Sequence, residues 1–356
     1  MIQAVHALVA VLPPLVGRAL FRTYLPAGPV AVLVAVVVLY LLGVARQNRL
    51  HPRHRWSPLR TGAFLGGAVV TAVAVFSSIG LYDGTLFWDH MIQHLLLIMV
   101  AASLFAASSP IALLWRATSG RARRRLSDLL RSRPARLGGH PVTAFVLYGV
   151  LVPLTHLTVF YNWAVESRAV DELEHFLFLA VGYLFWRQIF GADPNRYRAQ
   201  PPMRALLLFL AVPVDTFVGV TLNSENHEIF PALAALHRTW GMSLVADLRL
   251  GGVIMWVGGD VLMMLALIPV AMAWVRREER AASRFDHELA AYFPPPESHT
   301  GQPTAGFALG TYRPRRTAHA TVAGVPARGV PDVPARGVPG VPAPGVPGDP
   351  PPGRGG

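Results

Sequence analysis

Residues 87–107 read FWDHMIQHLLLIMVAASLFAA, an apolar run of the length that crosses a lipid bilayer. A hydrocarbon core about 30 Å thick needs roughly 20 residues at a helical rise of about 1.5 Å per residue. Six other runs in the chain meet the same requirement, so we predict an all-α, polytopic bundle of about seven transmembrane helices. The predicted spans are 28–45, 60–81, 87–107, 141–160, 173–190, 203–222 and 252–275.

The composition of the whole chain agrees with this class. The 356 residues are 53% hydrophobic and 15% charged, with a mean hydropathy of +0.40, whereas a soluble domain has about 25% charged residues. The 32 basic residues are all arginine and lie mainly between the apolar runs, so we predict no nucleic-acid partner. The absence of cysteine excludes disulfides, zinc–thiolate sites and cysteine-ligated iron–sulfur clusters.

The arginines also predict the orientation of the bundle. The arginine-rich segments are 46–60, 116–140, 187–204 and the residues that follow 275. Every second loop is therefore basic, and basic loops remain in the cytoplasm. The pattern predicts an N-terminus outside the cell and a C-terminus in the cytoplasm.

Three segments flank the predicted transmembrane domain, 28–275. Residues 1–27 are predicted to form an external or interfacial segment, because a span there would reverse the arginine pattern. Residues 276–293 are predicted to form a short cytoplasmic helix. Residues 294–356 contain the near-repeat GVPARGVPDVPARGVPGVPAPGVPG, and this Pro/Gly-rich composition predicts a disordered cytoplasmic tail.

Six ionisable side chains fall in the predicted outer half of the membrane, where such groups cost free energy and usually serve a function. They are His90, His94, His156, His175, Asp215 and Asp260. His90 and His94 are four residues apart and so share one face of a helix. Helical rise places His94, Asp215 and Asp260 at similar depths, roughly 10–12 Å from the outer surface.

Imidazoles together with carboxylates suit a copper ion, and thioethers are further possible ligands. The nearby methionines are Met91, Met255, Met263 and Met264. Two alternatives stay open. Methionines at helical spacing are also common packing residues, and either aspartate can simply bond to a neighbouring helix.

Several short motifs follow one another in a fixed order along the chain. They are Leu12-Pro13-Pro14, Trp88-Asp89-His90-Met91-Ile92-Gln93-His94, Ser109-Pro110, His140-Pro141, Thr155-His156-Leu157-Thr158, Glu174-His175, Gly182-Tyr183-Leu184-Phe185, Pro213-Val214-Asp215-Thr216-Phe217-Val218-Gly219, and Gly251-Gly252 with Met255-Trp256 and Gly259-Asp260. In this order and at these spacings, residues 12–275 resemble the CtaG-type cytochrome c oxidase assembly factors, a family of bacterial polytopic membrane proteins.

The resemblance implies a multi-pass protein of the bacterial plasma membrane that helps to mature a haem–copper oxidase. Its implied partners are oxidase subunits or other assembly factors, within the lipid bilayer. All six ionisable residues match motif positions of the family, and we infer from their chemistry and depth that they bind or deliver copper from the outer side. One departure is Arg249, which stands where family members often have a histidine or another polar residue. A cation disfavours a metal ligand, so we expect this loop not to coordinate copper.

Two other functions fit the same residues. A haem-binding electron carrier would use His94 with His156 or His175 as axial ligands. An ion- or proton-coupled transporter would use Asp215 and Asp260. No enzyme signature such as a P-loop, a nucleophile elbow or HExxH is present, so we expect a protein that is not an enzyme.

Overall fold

The computed structural model describes residues 25–190, 193–194, 197 and 199–292. All regular structure in this part of the chain is helical, so the predicted all-α class is confirmed. The elements are α1 (Ala27–Leu50), α2 (Pro58–Phe76), α3 (Ile79–Tyr82), α4 (Phe87–Leu95), a π-helical segment (Leu96–Ala101), α5 (Ala102–Ser108), α6 (Pro110–Ala117), α7 (Gly120–Arg131), α8 (Arg133–Gly138), α9 (Pro141–His156), α10 (Phe160–Glu166), α11 (Arg168–Phe190), α12 (Pro201–Ser224), α13 (Pro231–Ala234) and α14 (Leu244–Tyr292). The predictions for the N-terminal segment before residue 25 and for the 294–356 tail lie outside the described residues.

Helices of membrane-spanning length and polarity are present. Within the described ranges, five pass on length and hydropathy: Ala27–Leu50, Pro58–Tyr82, Phe87–Ala117, Pro201–Ser224 and Leu244–Leu289. The α9–α10 pair reaches that length together but is bent by 66°. Helix α11, in the predicted span 173–190, is 23 residues long but is not one of the five. The chain is thus a helical membrane protein, and the count of seven spans and their orientation stay predictions.

Two of the predicted spans differ from the single helices that were expected over 87–107 and 252–275. The run that begins at Phe87 passes through the π-helical segment and turns at Ser109, whose φ of 56° is left-handed, just before Pro110. The last run is longer than predicted, because α14 begins at Leu244 and continues without interruption to Tyr292. The predicted short helix at 276–293 is therefore the continuation of the last span.

Close packing of α11 against the π-helical segment fixes the centre of the bundle. A Cβ atom added at Gly182 would lie 2.8 Å from Ala102 Cβ and 2.8 Å from Ile98 O, so only glycine lets the two backbones approach this closely. One turn further on, the indole Nε1 of Trp186 donates to Ile98 O over 2.8 Å. This bond occupies a carbonyl group of the π-helical segment, whose helical hydrogen bonding is irregular.

Helices α12 and α14 make the second close contact. A Cβ atom at Gly219 would lie 2.7 Å from Gly252 O and 2.6 Å from Trp256 Cβ. Further along the same pair, a Cβ atom at Gly259 would lie 3.0 Å from Asp215 Oδ2. The contact therefore runs antiparallel and holds Asp215 in the interior, where it is 2% exposed.

Candidate metal centre

Three imidazole rings converge in the interior of the bundle. His90 and His94 lie on one face of α4 with their ring centroids 4.0 Å apart. His156, the last residue of α9, brings its Nε2 atom to 3.1 Å from His94 Nδ1. One ligand atom from each ring lies within 4.8 Å of those of the other two, and all three residues are at most 3% exposed. We call this group the histidine cluster.

The position of His156 follows from the end of α9. His156 lies just before a 66° bend between α9 and α10, and its side chain is buried in the interior at 1% exposure. The Nδ1 atom of His156 lies 2.8 Å from Val152 O and 2.9 Å from Thr155 Oγ1. These contacts hold the ring with its Nε2 atom directed at His94.

Glu174 joins the histidine cluster from α11. Its Oε2 atom lies 3.9 Å from His90 Nε2, and its Oε1 atom lies 3.8 Å from His94 Nε2. The side chain of Glu174 is fully buried at 0% exposure. All four of these atoms lack a hydrogen-bond partner among the described residues.

Glu174 belongs to the Glu174-His175 motif but is not among the ligands predicted from the sequence. It stands at the end of the acidic stretch Asp171-Glu172-Leu173-Glu174, which suggests a solvated membrane edge. Glu174 meets the criterion by which the histidines were chosen, because it is an ionisable residue inside the predicted span 173–190, directly before His175.

His175 faces a different group from that of Glu174, because successive residues on a helix are rotated by about 100°. Its Nε2 atom lies 2.9 Å from Gln93 Oε1, 3.5 Å from Asp171 Oδ1 and 3.8 Å from Asp83 Oδ2. His175, Asp83 and Asp171 thus form a second group of possible ligands. The structure therefore separates His175 from the histidine cluster.

Asp83 is a buried member of this second group; it lies between α3 and α4 and is 4% exposed. Burial and, to a smaller extent, the neighbouring carboxylate of Asp171 raise the pKa of Asp83 to about 7. The amide of Gln93 donates to Ala74 O over 3.0 Å, which leaves its Oε1 atom to accept from His175 Nε2. His175 therefore has a protein partner for this nitrogen.

Neither of the two aspartates predicted as ligands belongs to the group of mutually close ligand atoms that forms the histidine cluster. Asp215 accepts a hydrogen bond from the hydroxyl of Tyr148, which is 2.8 Å from Oδ2 and 2.9 Å from Oδ1. It borders a small cavity that His94 and His156 also line. Asp260 is only partly buried and accepts from Thr216 Oγ1 over 3.3 Å.

The four methionines considered as further ligands also differ in their distance from the histidine cluster. Met91 and Met255 line the small cavity beside the histidine cluster. Met263 is buried in the hydrophobic core at 1% exposure, whereas Met264 is 51% exposed on the outside of α14. Two of the four thioethers are therefore near the cluster.

A buried ion pair anchors the start of α4, the helix that carries His90 and His94. Asp247 accepts from the backbone N–H of Trp88 over 2.9 Å, and Arg238 Nη1 lies 2.9 Å from Asp247 Oδ2. Both charged side chains are almost completely buried, at 3% and 0% exposure. Arg249, by contrast, is exposed and donates to Glu225 O over 2.9 Å.

Comparison with known families gives one match. The sequence model of the cytochrome c oxidase caa3 assembly factor family (Caa3_CtaG) matches residues 38–277. This range includes all members of the histidine cluster as well as Glu174, His175, Asp215 and Asp260.

Curated relatives occur in mycobacteria. The uncharacterised proteins Mb0105 of Mycobacterium bovis and MT0111 of Mycobacterium tuberculosis are each 31% identical over 290 residues, which cover 77% of this chain and 42% of theirs. The uncharacterised protein ML1998 of Mycobacterium leprae is 29% identical over 261 residues, 69% of this chain and 38% of its own. The chain thus spans about two fifths of the length of these relatives. No solved structure is similar to it.

Proposed function

This chain belongs to the cytochrome c oxidase caa3 assembly factor family, and we propose that it serves oxidase assembly by holding copper at the histidine cluster. The observation that carries the proposal is the convergence of His90, His94 and His156 in a buried site. Imidazole nitrogen is a common copper ligand in proteins. A centre of this kind can bind and release an ion without carrying out a reaction, so the proposed role is not enzymatic.

Packing within the bundle supports the proposed arrangement of spans. The chain from α4 to α5 runs in the same direction as α11, because Glu174 lies beside His94 and, eight residues further on, Gly182 lies beside Ala102. Helices α12 and α14 run antiparallel, as alternate crossings require. With seven spans and basic loops in the cytoplasm, the histidine cluster lies in the outer half of a bacterial plasma membrane. Copper would then enter from the outer side.

The packing around the histidine cluster favours a bare metal ion over haem. Two imidazoles that ligate one haem iron lie on opposite faces of the porphyrin, about 4 Å apart between their nitrogen atoms, with the macrocycle between them. Here His94 Nδ1 and His156 Nε2 are 3.1 Å apart, and the ring of Phe178 stacks on His94 with a centroid distance of 3.9 Å. His175 offers no better axial ligand, because its Nε2 atom is bonded to Gln93.

The proposed partners are oxidase subunits or other assembly factors that meet the chain within the bilayer. Many apolar side chains face outward from the long helices. On α12 these include Phe209 at 66% and Phe217 at 60% exposure. Such faces suit contact with lipid or with another membrane protein.

Cells that lack the chromosomal copy and carry a His90→Ala/His94→Ala variant test the proposed function. At low copper we expect normal amounts of membrane-inserted variant but a clear loss of assembled oxidase, measured by oxidase activity and by haem a absorbance in membranes. The control is His51→Ala/His54→Ala, which removes two exposed histidines from a loop. Normal oxidase in the first variant at low copper would refute the role in copper handling.

A further inference from the structure

We propose that Glu174 is a metal ligand together with His90 Nε2 and His94 Nε2, and that this set binds a divalent ion, Cu²⁺ in the case of copper. His156 is then a positioning residue that holds His94 and does not itself touch the ion. The inference rests on the proposed copper centre and specifies its ligands and the oxidation state of its ion.

The first support is a set of buried polar atoms without partners. His90 Nε2, His94 Nε2 and both carboxylate oxygens of Glu174 lack hydrogen bonds within the described residues, although Glu174 is fully buried. Leaving such atoms unpaired in a membrane interior costs free energy for each of them. At 3.8–3.9 Å the carboxylate oxygens and the imidazole nitrogens do not bond to one another, whereas a single cation held between an ionised Glu174 and the two imidazole lone pairs satisfies them together.

The second support is the spacing of these atoms. The two nitrogen–oxygen distances, 3.9 Å from His90 and 3.8 Å from His94, are too long for hydrogen bonds. Two ligands on one ion, each with a bond of about 2.0–2.2 Å, lie roughly 2.9–4.2 Å apart depending on the angle between them. Both observed distances fall within that range, so an ion fits between the carboxylate and the two rings.

The third support is the hydrogen-bond chain that sets the tautomers. A carbonyl oxygen only accepts, so His156 Nδ1 carries the proton that it shares with Val152 O. Its Nε2 atom therefore has a lone pair and accepts from His94 Nδ1–H over 3.1 Å. The remaining nitrogen of His94, Nε2, is left with a lone pair that faces Glu174. This is how histidine ligands are commonly oriented, by a hydrogen bond on the other ring nitrogen.

Helix packing holds Glu174 in this place. Glu174 precedes Gly182 by eight residues, and His90 and His94 precede Ile98 and Ala102 by the same number. The tight contact at Gly182 therefore recurs about two turns earlier, where Glu174 meets the two histidines. The carboxylate belongs to the rigid centre of the bundle and is not a chance neighbour.

The donor set indicates a divalent ion. Thioether sulfur selects Cu⁺, whereas imidazole nitrogen with carboxylate oxygen suits divalent ions, among which Cu²⁺ binds most tightly and Zn²⁺ less tightly. The thioethers of Met91 and Met255 line the cavity beside His94 and His156, and neither His90 nor Glu174 lines that cavity. We therefore expect a preference for Cu²⁺.

The test is Cu²⁺ binding by the full-length protein in detergent, measured by competition with a chelator of known affinity. Glu174→Gln keeps the shape of the side chain but removes its charge, and we expect it to weaken Cu²⁺ binding by more than about 100-fold. His156→Ala acts on the orientation of His94, so we expect a weakening of about 10–100-fold. The control Glu172→Gln changes a carboxylate that is 45% exposed on the same helix, and we expect wild-type affinity.

Electron paramagnetic resonance of the Cu²⁺-loaded protein counts the coordinating nitrogens directly, in the wild type and in His156→Ala. We expect nitrogen hyperfine splitting from two imidazoles, unchanged in number in His156→Ala. A third coordinating nitrogen that disappears in His156→Ala would overturn the assignment of His156. Wild-type affinity for Cu²⁺ in Glu174→Gln would overturn the ligand role of Glu174. A higher affinity of the wild type for Cu⁺ than for Cu²⁺ would overturn the proposed oxidation state of the ion.

These outcomes are separable from those of the proposed function. Cu²⁺ binding with two nitrogens and a need for Glu174 would uphold the ligand set even if oxidase assembly proved independent of the site. A wild type that binds neither Cu²⁺ nor Zn²⁺ would overturn the ligand set, whatever the oxidase phenotype.

Discussion

The hydroxyl of Tyr148 lies 2.8 Å from Asp215 Oδ2 in the interior of the bundle, where Asp215 is 2% exposed. The bond joins α9 to α12 and satisfies a carboxylate that would otherwise be a buried, unpaired charge. The contact gives Asp215 a partner on a neighbouring helix, and its role as a metal ligand stays a prediction.

Tyr148→Phe should therefore destabilise the protein. Leaving the buried carboxylate without its partner costs about 1–3 kcal/mol, which thermal unfolding in detergent can detect. Tyr161→Phe is the matched control, because the buried hydroxyl of Tyr161 has no partner among the described residues. We expect that substitution to be neutral or slightly stabilising. Equal destabilisation by the two variants would contradict this reading of the Tyr148–Asp215 bond.

Gly182 should tolerate no side chain. A methyl group at this position would meet Ala102 Cβ and Ile98 O at 2.8 Å, so α11 must move away from the π-helical segment. We expect Gly182→Ala to cost about 1–3 kcal/mol through overpacking and to lower bound copper by displacing Glu174. Gly62→Ala is the control, because its added Cβ atom has nothing within 4 Å. A Gly182→Ala protein with wild-type unfolding temperature and copper content would show that this contact does not position the centre.

The buried Arg238–Asp247 pair should show strong coupling. Removing only the carboxylate, in Asp247→Leu, leaves a buried arginine without its partner and releases the N–H of Trp88, so we expect a cost of about 3–5 kcal/mol. The double variant Arg238→Met/Asp247→Leu removes both charges and should recover much of that loss. Unfolding of the four proteins in a double-mutant cycle measures the coupling, and additive effects would contradict it.

The C-terminal tail should be dispensable for insertion. Its Pro/Gly-rich composition cannot bury a hydrophobic core. We expect truncation after residue 293 to leave the amount of membrane-inserted protein unchanged, as measured by quantitative blotting of washed membranes. Loss of inserted protein on truncation would contradict the prediction of a disordered tail.

Much of the helical framework could be predicted from apolar run length alone, because a bilayer imposes one length on every span. Each predicted run contains a helix, and the four-residue spacing of His90 and His94 predicts the face that they share. A helix at 276–293 was predicted, but its continuity with the last span was not, because the hydropathy signal ends near residue 275 and the polar residues beyond it do not show whether the helix is interrupted. The π-helical segment after Leu95 could not be predicted from its amino-acid composition either, because its hydrogen bonding involves contacts with other helices, such as the bond from Trp186 to Ile98 O.

The composition of the site could be predicted less well than the fold, because a sequence does not state which helices are neighbours. The sequence places His156 and His175, like His94, in the outer half of the membrane, and only the packing of α9 and α11 shows which of the two lies beside His94. Consecutive residues on a helix are rotated by about 100°. The side chain of Glu174 therefore faces the histidine cluster, whereas that of His175 faces Asp83 and Asp171. Asp215 could not be recognised as the partner of Tyr148, because these two residues are 67 positions apart.

The most direct test of the central claim is the metal content and absorption spectrum of the purified full-length protein, wild type beside His90→Ala/His94→Ala. The account predicts close to one copper per wild-type chain, loss of that copper in the double variant, and no Soret band in either. The variant His51→Ala/His54→Ala should retain its copper. A wild type with a Soret band, or one without copper after loading, would contradict a copper centre at these histidines.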